Sequence, residues 1–310
     1  MAKLANELSW SRSRIATLHH CRRQYWFQYY GKWGGWEWDA PEDAKKAYFF
    51  SKMTDLPMLL GDAVHRTIKA LLESIRDGQG GDLPDPVLAA RKLMTKVWDD
   101  AKKEYWRKSV KNHPPVFEIY YRSEPSAEAL KELGAKAARC IRGFVESDLF
   151  AELKSTDPSA FLAVDPGPGF DEKSKHRVDG TVVWALPDFV RGLSPSGCEI
   201  WDWKTGKPSS HDATQLSAYA LWATDRFGCR PEDVRLKAFY LGEGKIADYP
   251  FKTADALAIR ELIRKDMETM RGLLADPIAN VPLDRDRSFP MTDDLAACAR
   301  CVFKELCGRS

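Results

Sequence analysis

Glu199-Ile200-Trp201-Asp202-Trp203-Lys204-Thr205-Gly206-Lys207 reads as a strand running into a tight loop. Side chains alternate along a strand, so Ile200, Asp202 and Lys204 share one face. A carboxylate and an ammonium therefore arrive side by side at the strand's end. Asp and Lys are rarely buried unless paired or bound. Upstream, residues 176–184 (His-Arg-Val-Asp-Gly-Thr-Val-Val-Trp) read as a second strand carrying its own acid, Asp179. Two acids and a lysine on neighbouring strands can hold a hard divalent cation with a water beside it, a chemistry suited to cutting phosphodiesters. Taken alone, Asp202-x-Lys204 is more often the mark of an ordinary strand-end ion pair.

Other residues keep this pair company. Before both strands lies Gly61-Asp62-Ala63-Val64-His65, within a helix whose apolar face is Val64, Ile68, Leu71, Leu72 and Ile75. A lone His beside such a face is ordinarily a core residue. After the strands, residues 212–227 read as a helix on which Gln215 and Tyr219, four apart, point the same way.

The ordered set of His65, Asp179, Asp202-x-Lys204 and Gln215-x3-Tyr219 resembles the RecB-type branch of the PD-(D/E)XK nuclease superfamily. That family's pattern is a helix His, a strand Asp, an (Asp/Glu)-x-Lys strand and Gln-x-x-x-Tyr on the next helix. The resemblance implies a metal-dependent DNA nuclease of the exonuclease type. His65, Asp179, Asp202 and the backbone carbonyl of Trp203 would hold Mg²⁺ or Mn²⁺. Lys204 would position and activate water and stabilise charge on the phosphate, and Gln215 and Tyr219 would orient Lys204 or the substrate. One position departs from the pattern: His176 stands where Gly often precedes the strand Asp.

The chain has seven cysteines, and the last three form Cys298-x2-Cys301-x5-Cys307. Close spacing lets thiolates converge on a metal centre, but three leave one ligand missing. In the iron–sulfur subgroup of RecB-like nucleases, the AddB-type and CRISPR-adaptation-type enzymes, one cysteine precedes the nuclease motifs and three follow. By that resemblance Cys21 is the fourth ligand, although Arg22 follows it where the family usually has Pro. A 4Fe–4S cluster would clamp positions 298 − 21 = 277 apart, a long loop to close without such a tie. Zinc on the same four thiolates is the rival, since thiolates suit both. Cys140, Cys198 and Cys229 read as packing residues.

Composition bounds the rest. The 310 residues are 44% hydrophobic and 30% charged, ordinary for a globular protein with a substantial core. The formal charge of +2 excludes a uniformly basic surface, so any grip on nucleic acid is local. Basic residues cluster at Arg12, Arg14, Arg22, Arg23 and Lys32, and again at Lys173, Lys175 and Arg177. Arg22, Arg23 and Lys207 are the candidate DNA contacts. Aromatic rings crowd residues 25–38, and they pack, shield a cluster or stack on bases. No apolar run reaches membrane-span length and no secretory h-region is visible, so the expectation is a cytoplasmic protein without membrane contact. No Gly-x4-Gly-Lys-(Ser/Thr) loop is present, so no nucleotide cofactor is expected. A helicase or CRISPR-adaptation protein is the kind of partner the resemblance implies. A non-catalytic DNA-binding or assembly subunit of a larger complex is the alternative function.

The expected architecture is α/β. N-terminal helices occupy residues 1–75, a helical insertion 76–160, the nuclease core 161–275 and the cysteine tail 276–310. The order of helix, three strands, helix, strands and helix fits a mixed sheet flanked by helices. The resemblance implies the same restriction-endonuclease-like core, with the cluster joining the two terminal segments.

Overall fold

Residues 197–204 form a strand buried along almost its whole length, the pattern of a strand covered on both faces. The computed structural model describes residues 5–167, 175–194 and 196–309. In chain order the helices are α1 (Arg12–His20), α2 (Arg22–Trp26), α3 (Glu42–Ser51), α4 (Leu56–Arg76), α5 (Pro86–Lys102), α6 (Phe117–Tyr120), α7 (Ala127–Val145), α8 (Asp148–Ser155), α9 (Asp212–Phe227), α10 (Thr253–Arg271), α11 (Arg285–Ser288) and α12 (Leu295–Ala299). The strands are β1 (Ser9–Trp10), β2 (Phe161–Val164), β3 (Arg177–Val178), β4 (Thr181–Val183), β5 (Phe189–Ser194), β6 (Gly197–Lys204), β7 (Val234–Tyr240), β8 (Lys245–Tyr249), β9 (Leu274–Asp276) and β10 (Val281–Pro282).

The main sheet runs β2-β5-β6-β7-β8, with β6 and β7 parallel and the other pairs antiparallel. It is the mixed sheet flanked by helices that the pattern suggested. Alternation along β6 sorts its side chains between two cores. Trp201 and Trp203 join Phe189 and Phe239 against α4, α5, α7 and α8. Cys198 and Ile200 join Val190, Leu236 and Ala238 against α9 and α10. Asp202 shares its parity with Ile200 and so points to the α9 side.

Helix α4 starts where Asp55 accepts from the Met58 amide, with Pro57 in the first turn. Its apolar stripe, from Leu56 to Ile75, packs with α5 and α7. Helix α7 lies so close to the sheet that a Cβ on Gly143 would sit 2.2 Å from the Leu241 carbonyl oxygen. At the other end of the chain, Ser11 caps α1 by accepting from the Arg14 amide.

A smaller sheet, β1-β4-β3, ties the N-terminal segment in: Ser9 and Trp10 run parallel to Val182 and Val183. Here the structure departs from the single strand expected at 176–184. Asp179 and Gly180 both adopt positive φ, 47° and 79°, and turn β3 back on β4. Asp-Gly is a favoured two-residue hairpin turn, because both central positions need the left-handed region. Strand β5 pairs antiparallel to β6.

Candidate active site

The register of β5 against β6 builds the centre of the site. Phe189 pairs with Trp201, so Asp188, one residue before, comes opposite Asp202, one residue after. One oxygen of Asp188 accepts from the Trp203 amide at 2.7 Å, and the other lies 3.0 Å from His65 Nδ1. His65 projects from α4 and also hydrogen-bonds the Trp203 backbone. Burial alone would lower its pKa; Asp188 and Asp202, with that hydrogen bond, outweigh burial and lift it to about 9. His65 thus stands in the site as a charged partner of Asp188.

Asp202 is 3% exposed. Burial, then the charge of Asp188, push its carboxyl pKa up, and Lys204 and His65 offset this only in part. Lys204 Nζ lies 2.5 Å from Asp202 Oδ2, a close ion pair. Lys204 also donates to Gln215 Oε1 at 2.9 Å, and Gln215 Nε2 reaches the Tyr219 hydroxyl at 2.5 Å. Asp212 Oδ1, at the start of α9, lies 3.5 Å from the ammonium. Burial acts against the Lys204 charge, yet Asp202, Asp212 and Asp188 together raise its pKa, so it is an ammonium at neutral pH.

Of the residues singled out in the sequence, His65, Asp202, Trp203, Lys204, Gln215 and Tyr219 are brought together. Asp179 is not. It sits at the tip of the β3–β4 turn, and the groups that perturb His65, Asp202, Lys204 and Tyr219 include Asp188 but not Asp179. Asp188 occupies the place expected for it. The signal was the dipeptide Pro187-Asp188, the Pro-Asp of the family label, ahead of Asp202-Trp203-Lys204. Asp212 was also missed. It is 5% exposed and accepts from the Ser209 amide and the Tyr240 hydroxyl, which fix it beside Lys204.

The three basic residues proposed for DNA fare differently. Arg23 is buried, donates to the Phe289 carbonyl at 2.7 Å and pairs with Asp286, so it ties α2 to the C-terminal segment. Arg22 and Lys207 are exposed. Lys175 and Arg177 both pair with Glu7, and Lys173 lies outside the described residues.

All seven cysteines are free. Cys140, Cys198 and Cys229 are buried in the apolar cores. Cys21, the hinge between α1 and α2, approaches the tail: Cys301 is influenced by Cys307, Cys21 and Cys298, and Cys307 by Cys21 and Cys298. Burial, with the other three thiols adding, pushes Cys301 up to about 11. Arg309 donates to Cys298 Sγ at 3.0 Å. Among the described residues, no three His, Cys, Asp or Glu side chains are grouped so as to hold a metal ion, and no helix is long and apolar enough to cross a membrane.

No curated protein and no solved structure matches the chain. A family model does match, across residues 9–308, and on that extent the chain belongs to the PD-(D/E)XK nuclease superfamily.

Proposed function

We propose that the chain is a Mg²⁺- or Mn²⁺-dependent deoxyribonuclease that acts as an exonuclease, with Asp188, Asp202 and Lys204 at its centre. Superfamily membership implies a metal-dependent nuclease, and such nucleases generally use divalent ions and bind DNA. The observation that carries the finer reading is the pairing of two carboxylates, Asp188 opposite the buried Asp202, with the Lys204 ammonium 2.5 Å from Asp202 Oδ2. Burial and the charge of Asp188 disfavour the ionised Asp202 even with Lys204 beside it, a cost that a divalent cation between the two acids would offset.

The donor set fits a hard cation. Asp188, Asp202 and the Trp203 carbonyl are all oxygen donors. Mg²⁺ commonly takes one or two carboxylates and fills its shell with water and substrate phosphate, so a closed cage of three side chains is not required. When bound, the ion supplies Lewis-acid polarisation of the phosphate and lowers the pKa of the attacking water. The residues of the chain do the rest. Asp188, just before β5, and Asp202, on β6, would hold the ion. His65 would serve as a ligand only in its neutral form. Lys204 donates to the phosphate or water and balances the charge that grows there, a role that suits an ammonium better than that of a general base. Gln215, backed by Tyr219, and Asp212 keep Lys204 from swinging away.

Cys21, Cys298, Cys301 and Cys307 form the second part of the reading, as ligands of a 4Fe–4S cluster. Their mutual approach supports it. In such a cluster each thiolate binds its own iron, so the sulfurs need not crowd one point. Zinc on the same four thiolates is the rival, and the cluster is preferred on the resemblance alone. Held there, the cluster joins Cys21 to the tail.

The test is cleavage of end-labelled single- and double-stranded DNA by the purified protein, with Mn²⁺ or Mg²⁺ and with chelator. Shortening from the labelled end that needs metal and is lost in Asp202→Asn supports the reading. A folded wild type that binds DNA without cutting it would leave the assembly-subunit alternative.

A further inference from the structure

A cleft of about 290 Å³ lies directly beside the catalytic group, between α1 and the start of α9. Gln215 and Tyr219 form one wall; Arg12, Trp184, His211 and Ser11 form the others. Arg12 is the unusual member. Its guanidinium has no carboxylate within ion-pair reach among the described residues, and its Nε is buried with no acceptor. Its one hydrogen-bond contact is with an imidazole, His211 Nδ1, at 2.6 Å from the terminal nitrogen. That contact fixes the fork in place without cancelling its charge. A half-buried, uncompensated guanidinium is costly unless an anion meets it. Its planar fork matches a phosphate. Trp184, half-buried on the same cleft, offers a ring face of the kind on which bases stack.

We propose that this cleft is the subsite for the nucleotide next to the scissile phosphate, with Arg12 on its phosphate and Trp184 against its base. The proposal rests on the nuclease reading and names the substrate form. A cleft this size takes one nucleotide, and a base enters it only when it has left its stack. The preferred substrate is therefore a single strand or a frayed end. His211 acts by positioning Arg12.

The experiment compares kcat and KM of wild type, Arg12→Ala, Arg12→Lys and Trp184→Ala on single-stranded oligothymidylate over a range of salt. A thermal melt checks that each variant is folded. Arg12→Ala should raise KM about tenfold, with a much smaller fall in kcat. It should also flatten the log–log salt dependence by about 0.7, the value of one phosphate contact on a single strand. Arg12→Lys should restore the slope and part of KM. Trp184→Ala should raise KM about tenfold with the slope unchanged. Unchanged KM and slope in Arg12→Ala, or blunt duplex cut as well as single strand, overturns the subsite while leaving the nuclease reading intact. A wild type that cuts no DNA at all brings down both.

Discussion

Asp188 faces Asp202 across the β5–β6 pair, and the same Asp188 carboxylate bridges His65 on α4 to the amide of Trp203. One side chain thus joins three elements at the point where the sheet meets the helical layer. It also places Asp188 close enough to disfavour charge on Asp202, with Lys204 as the counterweight.

The first prediction separates the two candidate acids. Asp188→Asn should lower metal-dependent cleavage by a factor of about 10² to 10³, the scale seen when one electrostatic group is removed from a reaction centre. Asp179→Asn should leave activity within about twofold, since Asn tolerates the positive φ of that turn. Rates on a labelled oligonucleotide check both, and the reverse pattern would return Asp179 to the site.

The cysteine set gives a compositional prediction. Protein purified without air should carry about four iron atoms and four acid-labile sulfides per chain, with visible absorbance. Cys301→Ala should lose all three signals. A colourless protein containing one zinc per chain would decide for the rival metal.

Much of this was legible in the residues. Asp202-x-Lys204 and Gln215-x3-Tyr219 declared themselves because their spacing matches the periods of a strand and a helix. Asp179 misled because the alternating residues around it look like strand, while Asp179-Gly180 is a turn signal that breaks the strand in two. Asp188 was hidden because it lies in a loop, just outside periodic structure, and owes its place to register. Arg23 looked like surface charge, since nothing local reveals that the Phe289 carbonyl, 266 residues away, awaits it. Arg12 and Asp212 matter through partners across the fold, which pattern alone does not supply.

Packing makes its own prediction at Gly143. A methyl group there would sit 2.2 Å from the Leu241 carbonyl oxygen, which is main chain and yields only by moving α7 or the end of β7. Gly143→Ala should destabilise the protein by about 1–3 kcal/mol, read as a lower Tm. An unchanged Tm would show that α7 rests less tightly on the sheet.

A pH effect follows from Lys32. Burial, then the charges of Lys52 and Arg14, bring its pKa from 10.5 down to about 8. Below about pH 8 both folded and unfolded chains carry the proton, and the folded state bears the full cost of the buried charge. From about 8 to 10.5 the unfolded chain binds more protons, so this residue's penalty fades as pH rises. Lys32→Met should therefore raise Tm most below pH 8, with the gain shrinking towards zero by about pH 10.5. A gain independent of pH would contradict the assignment.

The central claim is that Lys204 and the two carboxylates form a working centre rather than a strand-end ion pair. Its most direct test is the Lys204→Ala variant on end-labelled single-stranded DNA with Mn²⁺, alongside wild type and a melting curve. The account predicts a folded variant that still binds DNA but cuts it at least about 10²-fold more slowly. Equal cleavage by variant and wild type would contradict it.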